Sequence, residues 1–153
     1  MKPKFIDYYM KIAEITAGLS YAKRLKVGAV IVKDNKILAT GYNGMPSGWE
    51  NVCEVEHEVY VGDPTKTVKT LQLKTKPEVL HAETNAIAKV AQSTESSAGS
   101  TLFSTHAPCI ECAKLIYQSG ISSVYYKHEY RSDLGTKFLQ LSGVDVHQYT
   151  DSV

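Results

Sequence analysis

Apolar residues recur at near-helical spacing from residue 3 to about 22, where Phe5, Ile6, Tyr9, Ile12, Ala13 and Ile15 to Ala17 are separated by charged positions. The spacing predicts an amphipathic helix laid on a sheet. Val27 to Val32 is a short β-branched run, Asp34-Asn35 is a turn signal, and Ile37 to Tyr42 resumes the strand pattern; together they predict a hairpin. Between residues 45 and 79 the periodicity lapses. Pro46, Gly48, Gly62, Pro64 and Pro77 punctuate charges mixed with Trp49, Cys53, His57 and Tyr60, which reads as a long loop with room for one short helix.

Beyond that stretch, order returns. A helix is predicted from about 81 to 92, with Ala82, Ala86, Ile87, Val90 and Ala91 on its apolar face, and Ser93 to Ser100 is a polar break. Strand 101 to 104, helix 109 to 118, strand 122 to 126, helix 132 to 141 and strand 144 to 148 then alternate. Such alternation implies parallel pairing with right-handed connections. The expected architecture is α/β in three layers, α/β/α: one domain over residues 1–153 with a mixed sheet of about five strands and helices on both faces. Ligands of such sheets bind at the carboxyl edge.

The chemistry is concentrated in His81-Ala82-Glu83 and Ala107-Pro108-Cys109-Ile110-Glu111-Cys112. Cys109 and Cys112 are three apart, so both sulfurs reach one point from a single helical face that Pro108 introduces. His81 and Glu83 are two apart and flank a common point only from a helix's first turn. Zinc is therefore expected between two helix N-termini, whose partial positive charge favours thiolates. Three protein ligands leave a fourth position for water, the arrangement of catalytic rather than structural zinc. Two thiolates and an imidazole cancel the metal's charge, so a proton acceptor has to assist, and Glu83 is the candidate. His-x-Glu followed by Pro-Cys-x-x-Cys matches the signature of zinc nucleobase deaminases.

Charge adds an exclusion. Seventeen Lys and Arg against sixteen Asp and Glu give a net +1, which provides no basic field for nucleic acid. Partners should be small molecules. Three cysteines, two already placed at the metal, argue against a disulfide framework and for a reducing compartment. With no apolar run of membrane-spanning length and no secretory leader pattern, the expected location is cytoplasmic.

On these residues the chain resembles the deoxycytidylate (dCMP) deaminases of the cytidine deaminase-like superfamily. The likeness rests on Val27 to Val32, on Gly41-Tyr42-Asn43-Gly44-Met45-Pro46-Ser47-Gly48, on His81-Ala82-Glu83-x-Asn85-Ala86-Ile87, on Ala107 to Lys114, and on Ser119-Gly120-Ile121. It implies hydrolysis of dCMP to dUMP and ammonia, the supply of dUMP for thymidylate synthesis, a homohexamer, activation by dCTP with Mg2+ and inhibition by dTTP. It also implies roles. His81, Cys109 and Cys112 match the zinc ligands and Glu83 the proton shuttle, which carries protons to N3 of cytosine and to the departing amine. Asn43 matches a contact to the sugar, the backbone near Ala82 orients the pyrimidine, and Tyr130 stands against the base. Arg131 and Arg24 are candidates for the 5′-phosphate. Gly41, Tyr42, Asn43 and Gly44, with Lys26 and Asn85, match the element associated with the effector nucleotide.

One departure concerns a second, structural zinc that some members bind. Ala22 stands where a Cys is usual, Pro77-Glu78-Val79-Leu80 offers no ligand, and Cys53 with His57 supplies only two. One zinc per chain is expected. Deaminases of nucleosides, of tRNA adenosine or of a riboflavin intermediate share the zinc constellation, and a nucleotide-binding protein without activity could share the fold. The near-neutral charge opposes the tRNA substrate, the absence of a fused reductase domain the riboflavin one, and Glu83 beside the metal the inactive form.

Overall fold

The computed structural model describes residues 1–151. Helix α1 (Pro3–Ala17) opens on a proline in its first turn, where no intrahelical donor is lost. It ends about five residues before the apolar spacing does. Ser20 is drawn off the helical path: its hydroxyl donates to the Asn43 carbonyl at 2.7 Å and accepts the Ala22 N–H at 3.1 Å. Those bonds turn the chain into strand β1 (Gly28–Lys33), which pairs antiparallel with β2 (Lys36–Tyr42) across Asp34-Asn35, both at positive φ.

The expected long loop is corrected. Residues Glu54–Val61 form β3 and Val68–Thr75 form β4, an antiparallel ribbon of eight paired positions apart from the main sheet. Asp63 closes its turn by accepting the N–H groups of Thr65 and Lys66 at 2.7 and 3.0 Å. The pattern hid it because its apolar residues are divided between two solvent-facing sides: Val55, Val61 and Val68 on one, Tyr60, Leu71 and Leu73 on the other.

The remaining elements are α2 (Ala82–Ala91), β5 (Thr101–His106), α3 (Ile110–Gln118), β6 (Ser123–His128), α4 (Leu134–Leu141) and β7 (Asp145–Gln148). The main sheet runs β2-β1-β5-β6-β7; β5, β6 and β7 are parallel and β1 is antiparallel to both neighbours. This is the mixed five-stranded sheet expected. Alternation along the strands splits the core. Val30, Val32 and Phe103 pack under α1 with Tyr9, Met10 and Ala13, whereas Ala29, Ile31, Leu102 and Val124 pack on the other side with Ala82, Ala86, Cys112, Ala113, Ile116 and Leu139. Among the described residues no helix is long and apolar enough to cross a membrane.

Small residues bring α2 onto the sheet. A Cβ on Gly41 would lie 2.1 Å from the Ala82 carbonyl oxygen and 2.6 Å from the Ala86 nitrogen, both backbone atoms of α2. Gly41→Ala should therefore push the N-terminus of α2 away from the sheet. Overpacking of this kind costs about 1–3 kcal/mol, a fall of roughly 2–12 °C in Tm for a domain of this size. Thermal unfolding checks it, and an unchanged Tm would mean the helix has slack that the backbone contact denies.

Candidate metal and catalytic site

Two helix N-termini meet beyond the carboxyl end of β5. His81 is the N-cap of α2 and Cys109 the N-cap of α3, whose sulfur accepts the Cys112 N–H at 3.5 Å. The residue before each helix is extended, so each cap side chain projects past the helix end. The ligand atoms of His81, Cys109 and Cys112 lie within 4.8 Å of one another. His81 Nδ1 is 3.2 Å from Cys112 Sγ and 3.6 Å from Cys109 Sγ. Zinc bonds of about 2.3 Å to sulfur and 2.0–2.1 Å to nitrogen, set tetrahedrally, put sulfur and nitrogen roughly 3.6 Å apart. The three donors thus fit that metal in type and in spacing.

Glu83, in the first turn of α2, is buried with its Oε2 3.7 Å from Cys112 Sγ. Burial pushes its carboxyl above the ordinary range, against a helix N-terminal N–H and His81 pulling the other way. A carboxyl raised in this way is better suited both to take and to give a proton than one at its ordinary value. The thiols divide one proton in the metal-free pocket. The hydrogen bond from Cys112 is the main cause that draws Cys109 down to about 3, with His81 assisting; the same bond, burial and Glu83 push Cys112 up. His81 is raised chiefly by its hydrogen bond with Cys109. A bound dication reverses the balance at Cys112, because it favours both thiolates.

Residues 3–128 match the cytidine and deoxycytidylate deaminase zinc-binding region. The chain belongs to that family. It is 36% identical over 128 residues to a deoxycytidylate deaminase of Mycobacterium phage D29, covering 84% of this chain and 98% of the phage protein. It is 32% identical over 151 residues to the deoxycytidylate deaminase of Saccharomyces cerevisiae, covering 98% of this chain but 46% of the yeast protein, so it spans about half the length of that relative. The solved dCMP deaminase of cyanophage S-TIM5, in complex with dCMP and dUMP, superposes with a TM-score of 0.85 at 45% identity, over 97% of this chain and 99% of that one.

The other residues singled out by the family likeness lie at several places around the site. Asn85, Gly41 and Gly44 build the wall beside α2: Asn85 Nδ2 donates to the Tyr42 carbonyl at 2.8 Å, and Gly44 bridges Leu80, the residue before His81. Asn43 clamps the entry to β1, its Oδ1 accepting the Val27 N–H and its Nδ2 donating to the Leu25 carbonyl, both at 2.8 Å. One N–H of that amide is left for a ligand. Lys26 stands apart, lining a cavity of about 650 Å3 with Ser20, Tyr21 and Lys23.

Farther out, Arg24 is exposed and donates to the Thr75 hydroxyl at 3.1 Å, at the base of the β3–β4 ribbon. Arg131 is exposed on the loop after β6 with its guanidinium 5.4 Å above the Tyr130 ring. Ala22, Cys53 and Val79 form a small apolar cluster with Met45 against it, and His57 is exposed on β3 with Nδ1 3.0 Å from the Gln72 carbonyl oxygen. Sequence reasoning missed Glu54, a buried carboxylate whose Oε1 accepts the N–H groups of Lys23 and Arg24 at 2.8 and 3.0 Å. It also missed His106 and His128, whose pairing across two strands leaves no local signal.

Proposed function

We propose that this chain is a zinc-dependent hydrolase that converts dCMP and water to dUMP and ammonia, with one zinc ion per chain. The observation that carries the reading is the His81, Cys109 and Cys112 donor set with the buried Glu83 carboxyl beside it. The named relatives and the dCMP- and dUMP-bound structure support dCMP as the substrate.

When bound, zinc acidifies a water molecule and stabilises negative charge on the oxygen that attacks C4. Glu83 accepts the proton that water loses and passes it to N3, then takes the proton of the hydroxyl added at C4 and delivers it to the departing amine as the C4–N bond breaks. The backbone at Ala82, drawn close by Gly41, orients the pyrimidine, and Asn43 holds the sugar. Tyr130 stands against the base while Arg131 and Arg24 serve the 5′-phosphate, for which arginine's fork of donors is suited.

Regulation belongs to the same reading. The cavity with Lys23 and Lys26 adjoins Asn43 through the Ser20 hydrogen bond, which supports a site for dCTP with Mg2+ as activator and dTTP as inhibitor near the Gly41 to Gly44 turn. Exposed Tyr8 and Ile15 on one stripe of α1, with exposed Leu19 just past its end, support self-association, as a hexamer. Free cysteines support a reducing, cytoplasmic setting.

The test is ammonia release from dCMP, with deoxycytidine, CMP and adenosine in parallel, each with dCTP plus Mg2+ and with dTTP. Turnover of dCMP that rises with dCTP and falls with dTTP is expected. Turnover of adenosine or CMP in preference to dCMP would overturn the substrate assignment, and indifference to both triphosphates the regulatory one.

A further inference from the structure

Two histidines that no step above uses sit where the parallel strands β5 and β6 end. His106 and His128 are register partners, with ring centroids 5.1 Å apart and planes inclined by 42°. Leu102 and Val124 belong to the core cluster that includes Ala82 and Cys112. Side chains alternate along a strand, so His106, four residues on from Leu102, and His128, four on from Val124, share the sheet face of the metal site. Cys109 follows His106 by three residues, which keeps their Cα atoms within about 10 Å. The Ala107 N–H donates to the His128 carbonyl at 2.8 Å and ties the two strand ends together.

The hydrogen bonds around His106 favour one tautomer. Thr105 Oγ1 accepts the Gly28 N–H at 3.1 Å and lies 3.0 Å from His106 Nδ1. Donation of the Thr105 hydroxyl proton to Nδ1 gives that proton its partner and leaves the ring proton on Nε2. Burial and the neighbouring His128 hold His106 below its usual range, which favours this neutral ring. Among the described residues no hydrogen-bond partner is found for His106 Nε2. Glu129, the residue after His128, is engaged by the Tyr126 hydroxyl at 3.0 Å. Arg131 leaves the same strand end three residues after His128.

An oriented N–H, a second imidazole and a guanidinium on one edge form a donor set for an oxyanion. We propose that His106, backed by His128, donates a hydrogen bond to the 5′-phosphate of the substrate and is a determinant of nucleotide over nucleoside. The inference rests on the deaminase reading above for its substrate. It adds a phosphate partner on the rigid sheet, where Arg131 offers one on a loop.

The test uses zinc-loaded protein and pairs kinetics with binding. His106→Phe should raise the KM for dCMP and the Kd for dUMP about tenfold or more, the range for losing a hydrogen bond to a charged group. Deoxycytidine turnover, deoxyuridine binding and zinc content should change little. His106→Gln, which keeps an N–H, should recover most of the dUMP affinity in calorimetry. Equal losses for nucleotide and nucleoside, or unchanged dUMP affinity in both variants, would overturn the assignment. Parent protein that binds dUMP through His106 yet releases no ammonia from dCMP would sink the deaminase reading and leave the phosphate contact standing.

Discussion

Glu83→Gln should keep its zinc and lose turnover of dCMP by at least about a thousandfold. A positioned proton transfer contributes roughly 10²–10⁴-fold, and the proposed reaction asks two of Glu83 in each cycle. The amide is nearly isosteric, so the first turn of α2 and the donor triangle of His81, Cys109 and Cys112 should persist. The variant should also not be less stable before metal is added. Burial raises the Glu83 pKa above its ordinary 4.5, so in metal-free protein its ionisation opposes folding increasingly as pH rises through and above that value. A neutral amide escapes that cost, and its melting temperature at pH 7 should equal or exceed the parent's. Metal analysis, steady-state ammonia release and a pH series of melts separate the outcomes. Retained zinc with undiminished turnover would remove Glu83 from the chemistry.

Removal of the metal should abolish turnover and unmask a reactive thiolate at Cys109. With Cys109 drawn to about 3 and Cys112 pushed up, the metal-free protein holds one thiolate and one thiol. Cys109 is ionised throughout pH 5–8, so alkylation by iodoacetamide should be fast there and almost independent of pH. Cys112 is buried and protonated, and Cys53 is buried with its thiol pushed up by burial and Glu54; both should react slowly. Zinc should protect Cys109 and restore turnover when added back. His81→Ala should lose the metal and leave Cys109 open to label even in added zinc. Mass spectrometry of labelled peptides reads every arm. If Cys109 labels no faster than Cys53 in metal-free protein, the thiolate assignment is wrong.

The donor set was open to reading before any coordinates because local rules govern it. Cys109 and Cys112 must share a face wherever a helix begins at Pro108, and His81 with Glu83 can converge only at a helix start. The α/β order was readable for a similar reason: helices and strands that bury one side carry periods of 3.6 and 2 residues. The β3–β4 ribbon failed that test. Its strands bury neither side against the main sheet, so selection for a one-sided apolar pattern is absent, and Gly62 with Pro64 at the turn resembled loop punctuation.

Gly41 and Asn43 show another limit. The family likeness implied a sugar contact for Asn43 and a place in the effector element for both; the fold adds a packing duty for Gly41 against α2 and a bracing duty for Asn43 on β1, since a side chain's partner is set by what the fold brings next to it.

The sequence by itself determined the candidate metal donors, the carboxyl proposed for proton transfer and the layered α/β class, since each follows from spacing within one short segment. Tertiary structure decided the rest. It placed His81 31 residues from Cys112 in sequence yet within 3.2 Å in space, buried Glu83 to raise its pKa, and set His106 against His128 across two parallel strands. Those are relations between segments, fixed by strand order and by close approach of backbones, and no local pattern encodes them.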